Sequence, residues 1–287
     1  MAMQANVLKP TRKKFRPSML LVYALLIFIS CICIVPLYWM FRSSLMSNGE
    51  IFQYPPLFFP ESMRWDNYRK AFESFDAVKY FGNTLKILIP CVLGTVLTSA
   101  MAGYALARVK FPGRKVWFAL VVCSMILPGH VTLIPQYITY SKLGMINTYW
   151  PFYFAAWFGG GATNVFLMRQ FMMTLPRDYD EAAYLDGANR VQIFTRIILP
   201  MIVPILITVS IFSFMGYWND FQGPLIYLQT DDNFTLALGM MQFRSEKSNR
   251  HNLMMAAGMV MVVPAIILYG VGQKYFIEGI NLTGIKG

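Results

Sequence analysis

The chain has 287 residues, 56% of them hydrophobic, 16% aromatic and only 14% charged, with a mean hydropathy of +0.46 and a formal net charge of +11. That balance lies outside the range of water-soluble domains and reads as an integral membrane protein. The two histidines fall in no metal-binding pattern and there is no Gly-x-Ser-x-Gly elbow, so no catalytic residue and no metal ligand is assigned.

A helix needs about 20 mostly apolar residues to cross roughly 30 Å of hydrocarbon. Six stretches approach that length, at 18–41, 79–107, 115–136, 150–173, 198–221 and 253–273. Each is expected to be helical, because a backbone in lipid must satisfy its own hydrogen bonds and no barrel-like alternation is present. The predicted fold is all-α: a basic N-terminus (1–17), one six-span domain without internal repeats (18–273) and a C-terminal tail (274–287).

The basic stretch Arg12-Lys13-Lys14-Phe15-Arg16 leads into a first apolar run that ends in Pro36-Leu37-Tyr38-Trp39 rather than in small residues. At about twice the length of a leader's core, it is expected to stay as a span. Two larger loops, 42–78 and 222–252, fall on one side; in the first, Trp65 to Phe75 is amphipathic enough to lie as a short interfacial helix. Residues 137–149 lead to Trp150-Pro151, a suitable interfacial start for span four. Cys31, Cys33, Cys91 and Cys123 all lie within spans and indicate neither a disulfide framework nor a metal site.

Even span number puts both termini on one side. Segments 1–17, 108–115, 169–197 and 274–287 carry 15 Lys plus Arg against 5 acids, whereas the opposite side carries 9 against 8. The positive-inside bias makes the first set, termini included, cytoplasmic, and explains the net charge without nucleic acid. Lipid is the first expected partner.

Between spans four and five lies a polar, helix-forming insert. Pro176 ends the preceding helix, and Asp178 stands three residues before Glu181, the spacing of an N-cap and its capping-box partner. Ala182, Ala183, Gly187 and Ala188 are small, and Gly187 permits a sharp bend or a close approach by another chain. A short helix across the ends of two spans results. By spacing alone it is either a capped re-entry helix or a handle for a docked partner.

Residues 181–200, EAAYLDGANRVQIFTRIILP, resemble the EAA signature of the permease subunits of binding-protein-dependent ABC importers: EAA, three residues, Gly, nine residues, Ile, one residue, Leu-Pro. Every fixed position matches. Looser pieces, among them Phe81-Gly82-Asn83-Thr84, Gly103 to Arg108, Trp218-Asn219-Asp220-Phe221 and the terminal Gly284-Ile285-Lys286-Gly287, are similar to the carbohydrate-uptake branch, in particular the smaller six-span partner of the maltose-type pair. The resemblance implies that 181–188 is a coupling helix in a groove of a cytoplasmic ATPase, with Asp178, Glu181, Ala182, Ala183, Asp186, Gly187 and Ala188 at or beside the contact. It also implies that the tail, through Lys274 and Lys286, meets the same ATPase. The implied partners are a second, non-identical permease, a pair of ATPase subunits and an extracytoplasmic solute-binding protein, all at a bacterial plasma membrane. No Walker A loop is present, since Gly279 to Lys286 ends in Gly-Ile-Lys-Gly, so ATP and Mg would belong to the partner and this chain needs no cofactor.

An ion-coupled secondary transporter of a polar solute is the alternative from another class, with Lys86 and Asp220 as its ionisable groups inside or at the edge of spans. For a sugar, Asn83, Tyr153, Trp157, Asn164, Trp218 and Asn219 are candidate wall residues: aromatic faces stack on CH-rich rings and amides meet ring hydroxyls. The same residues also suit an interfacial belt or helix packing. Gly159-Gly160-Gly161 marks either a close crossing or local unwinding beside the pathway.

Overall fold

A computed structural model describes the backbone of residues 17–74, 76–244 and 250–283, with side chains except at 17, 18, 242, 244 and 274–283. The Arg12–Arg16 stretch, Phe75 and Lys286 therefore lie outside the described residues, as does the side chain of Lys274. Every described element is a helix or turn.

The first helix, α1 (Pro17–Ser44), has no buried residue within its most apolar window, and Leu21 and Phe28 are 72% and 63% exposed. An apolar surface of that extent is compatible with lipid around it and not with water. Two short helices come next, α2 (Asn48–Ile51) and α3 (Asp66–Ser74), the latter matching the expected interfacial helix. Ser47 and Glu50 form a capping box at α2, and hydrogen bonds from Ser47 hold the Glu50 carboxyl below its usual range.

The central element is α4 (Ala77–Arg108), which packs against α5 (Arg114–Ile126), α7 (Trp150–Gly159), α8 (Ala162–Thr174) and α12 (Val203–Trp218). Its glycines make this possible. An added Cβ at Gly94 would fall 2.7 Å from the Trp157 indole, and one at Gly103 would fall 2.7 Å from the Met168 Cβ. Small residues at such crossings let helix backbones approach closely in a membrane. Gly103→Leu is therefore expected to destabilise the bundle by about 1–3 kcal/mol through overpacking. A thermal scan in mild detergent checks this against Gly82→Leu, whose Cβ meets nothing within 4 Å and which should stay near wild type.

Among the described residues, three helices are long and apolar enough to cross a membrane: Met19–Ser44, Ala77–Arg108 and His251–Gln273. The last belongs to α15 (His251–Thr283), which continues helically past the expected tail boundary at 274. Two of the other expected spans are bent pairs, which bring the number to at most five. Span three is not one helix over 115–136. It is α5 followed by α6 (Gly129–Lys142) at 103°, because Pro128 cannot continue α5 and holds Leu127 in extended backbone.

The run expected as span five, 198–221, is also broken. A turn of π-helix, Phe194–Ile198, joins α10 (Arg190–Ile193) to α11 (Leu199–Met201), and the chain bends 79° before α12. Pro200 and Pro204 lack the N–H groups that a straight α-helical ladder would need there. Span four is divided at Gly160 and Gly161, with φ of +59° and +79°, so neither α7 nor α8 is long enough to cross alone.

At the end of the bundle formed by the start of α4, side chains tie distant loops together. The Asn67 amide donates to the carbonyls of Ser44 and Met46. Asn83 donates to those of Asp232 and Phe234, while Lys79 pairs with Asp76, Asp231 and Asp232. Between these points run α13 (Gln222–Tyr227), a short turn at Asp231–Asn233 and α14 (Leu236–Gly239).

Candidate functional site: the polar helix and the cleft

At the other end of the bundle, Leu175 adopts extended backbone ahead of Pro176, which stops α8. The next helix, α9 (Asp178–Leu185), opens the insert. Asp178 is its first residue and not its N-cap. That position falls to Arg177, no side chain caps the helix, and the expected box between Asp178 and Glu181 does not form. Arg177 takes α-region backbone (φ −78°, ψ −17°), so the N–H groups of Asp180 and Glu181 bond its carbonyl directly. Asp178, Asp180 and Glu181 instead place three carboxylates in the first turn, where negative charge meets the positive end of the helix.

Asp186, Gly187 and Ala188 form the turn that ends α9 instead of belonging to the helix. Gly187 has φ +79°, its N–H bonds the Tyr184 carbonyl (3.1 Å), and the Ala188 N–H bonds that of Ala183 (3.0 Å). That is a Schellman ending, which strains any residue but glycine at 187. The capping box lies one element further on, where Asn189 and Gln192 exchange side-chain to backbone bonds of 2.9 and 2.8 Å at the start of α10.

One face of α9 is fixed to the bundle. Ala183 is buried with Tyr104 and Ala107 of α4, Met168 and Met172 of α8, and Ile193 of α10. Arg108 Nη1 reaches Asp180 Oδ2 at 2.7 Å, with the two side chains 4% and 14% exposed. The same guanidinium donates to the carbonyls of Met172, Leu175 and Pro176, closing the C-terminal end of α8. The opposite face is bare: Glu181 and Ala182 are exposed, Tyr179 and Tyr184 are about half exposed, and Leu185 is 89% exposed. Beside it a cleft of about 310 Å³ is lined by Arg177, Glu181, Tyr184 and Arg190. Physically, α9 is a rigid knob with an apolar, acid-edged top. The strut of Arg108 and Asp180 was not among the expected site residues; Arg108 ending an apolar run was its one visible sign.

The expected pathway residues do not form one wall. Asn83 and Trp218 are buried, the first bonding the 231–234 turn and the second donating from Nε1 to the Met261 carbonyl. The Trp157 ring covers Gly94, Tyr153 donates to the Lys86 carbonyl, and Asn219 bonds back to Met215 within its own helix. Only Asn164, of the six, lines the cleft beside the α7–α8 break, where it donates to the Gly160 carbonyl at 2.9 Å. Thr95, Ser213, Tyr217 and Asp220 line that cleft too and were not among the candidates.

A family profile described as "Binding-protein-dependent transport system inner membrane component" matches residues 94–281. An arabinooligosaccharides transport system permease protein of Halalkalibacterium halodurans is 32% identical over 263 residues, covering 91% of this chain and 94% of its own length. A melibiose/raffinose/stachyose import permease protein of Bacillus subtilis is 31% identical over 271 residues, covering 94% and 98%. Among solved structures, a chain of a bacterial ABC transporter involved in import of the acidic polysaccharide alginate has the same fold. The TM-score is 0.79 at 22% identity, with 93% of this chain and 100% of that one covered. With membrane-length apolar helices and a profile match over most of its length, this chain belongs to the inner membrane components of binding-protein-dependent transport systems.

Proposed function

We propose that this chain is one permease subunit of an ATP-driven, binding-protein-dependent importer of a sugar or oligosaccharide, forming half of the pathway and receiving the ATPase stroke through α9. The observation that carries the coupling role is the two-faced construction of α9, buried and ion-paired below, apolar and exposed above. A helix so fixed passes a push into α4 and α8 as a rigid body. The relatives named for arabinooligosaccharides and for melibiose, raffinose and stachyose favour a saccharide cargo.

In this reading the membrane domain crosses six times, with the bent and broken elements counted as spans, and both termini and α9 are cytoplasmic. A non-identical permease completes the pathway, a pair of ATPase subunits supplies ATP and Mg, and the C-terminal part of α15, including Lys274, lies near the ATPase. The ends of α3, α13 and α14 face a solute-binding protein. The family match disfavours an ion-coupled secondary carrier, and the Lys86 ammonium donates to Asn83 Oδ1 at 3.1 Å, which gives it a structural role.

Membrane vesicles holding the assembled transporter test the proposal. Glu181→Lys reverses charge at the knob, and Gly187→Asp strains its Schellman turn. Both are expected to insert normally, cut ATP-dependent sugar uptake at least about tenfold, and leave hydrolysis unresponsive to the loaded binding protein. Unchanged uptake in both variants would remove α9 from the coupling route.

A further inference from the structure

We propose that the cleft of about 380 Å³ between α4, the α7–α8 break and α12 is a solute subsite of this chain's own, and that Asp220 restricts it to uncharged, hydroxyl-rich solutes. The inference rests on the importer reading above and adds a contact and a charge preference that the reading leaves open.

The first observation is Ser213. It lines the cleft, is 7% exposed, and its buried Oγ has no hydrogen-bond partner among the described residues. Hydroxyls inside helices ordinarily bond the carbonyl four residues back. Thr208 and Ser210 of the same helix do so, at 2.9 and 2.7 Å, and Ser213 does not. A buried donor left in this state is a place for a ligand acceptor.

The second observation is the backbone opposite. Gly160 and Gly161, both at positive φ, interrupt the helix where they line the cleft. Irregular backbone at membrane depth is tolerated where it is buried in protein or lines a water-filled cavity, and broken helices form solute sites in other transporters. The Thr95 and Tyr217 hydroxyls, 3.2 Å apart, add groups that donate or accept as a solute requires.

Charge then selects. Asp220 is the one charged side chain among the described lining residues, and its Oδ1 accepts the Gly223 N–H at 3.0 Å. It also lines a neighbouring cleft of about 370 Å³ with His130, Gln136 and Gln222, so it stands between the two. When ionised the carboxylate only accepts, which suits hydroxyl donors; a uronic acid would then bring a like charge, with no cation among the described lining residues of the first cleft to offset it.

The test uses the full chain in its native membrane. The lipid-exposed Cys31, Cys33 and Cys123 are replaced by alanine, and buried Cys91 is kept as the background. Ser213→Cys is then labelled with a charged, water-soluble methanethiosulfonate, with Leu25→Cys as the lipid-facing control. Labelling is expected at 213 and not at 25. A neutral trisaccharide mixture (raffinose, maltotriose and arabinotriose) should slow it about tenfold at saturation. Trigalacturonate should leave it unchanged, and should protect once Asp220→Asn is added. No reaction at 213, no protection by the neutral sugars, or equal protection by both classes would overturn the proposal. ATP-driven uptake in the same vesicles reports separately on the importer reading. The expected labelling without uptake would support the subsite and break that reading, whereas uptake without labelling would break the subsite alone.

Discussion

Arg108→Ala is expected to destabilise the end of the bundle that carries α9 by about 3–5 kcal/mol, the largest single-residue effect outside the apolar core. The guanidinium gives one bond to Asp180 and others to the Met172, Leu175 and Pro176 carbonyls, all from a side chain 4% exposed. Truncation leaves the Asp180 carboxylate and the end of α8 without their donors at a largely buried site; among the described residues Asp180 Oδ1 already has no partner. Arg108→Lys should recover little, because an ammonium is a point charge and cannot span four acceptors on both sides of a turn. Asp180→Asn should be milder, since an amide oxygen still accepts from Nη1. Thermal unfolding in detergent, together with proteolysis across residues 175–190, checks the order Ala, then Lys, then Asn.

Leu185→Asp should act on the opposite face and in the opposite way. At 89% exposure the side chain has almost no packing to lose, so thermal stability should match wild type. Binding of the ATPase should weaken by about 2 kcal/mol or more, roughly thirtyfold, as when a charge enters the apolar centre of an interface. Titrating purified ATPase onto the variant transporter measures this. The two variants separate the faces of α9: Arg108→Ala loosens the knob and keeps its surface, whereas Leu185→Asp keeps the knob and spoils its surface.

The parts of this molecule that depend on local chemistry were legible in its sequence. Continuous apolar runs located α1, α4 and α15, and amphipathic spacing located α3, while Gly187 left open the sharp bend that ends α9. The features that escaped were set by partners far along the chain. Arg108 and Asp180 are 72 residues apart, and the Asn83 amide is taken by a carbonyl 149 residues away. No periodicity encodes either pairing, so Asn83 read as a wall residue and Arg108 as a flank. Backbone choices between near-equal alternatives escaped too. Asp178 is a good N-cap by type, yet Arg177 continued the helix by one residue and moved the cap. The runs at 115–136 and 198–221 read as single spans, because apolar length alone does not register bends of 103° and 79°.

The most direct test of α9 as the seat of an ATPase is a mild-detergent pull-down of the chain from its native membrane, wild type beside Glu181→Lys, with partners identified by mass. Wild type should bring down an ATPase and a second, non-identical permease, and the variant should keep the permease and lose the ATPase. Recovery of the chain alone or as a homodimer in both cases would contradict the coupling role and leave α9 a capped turn between two helices.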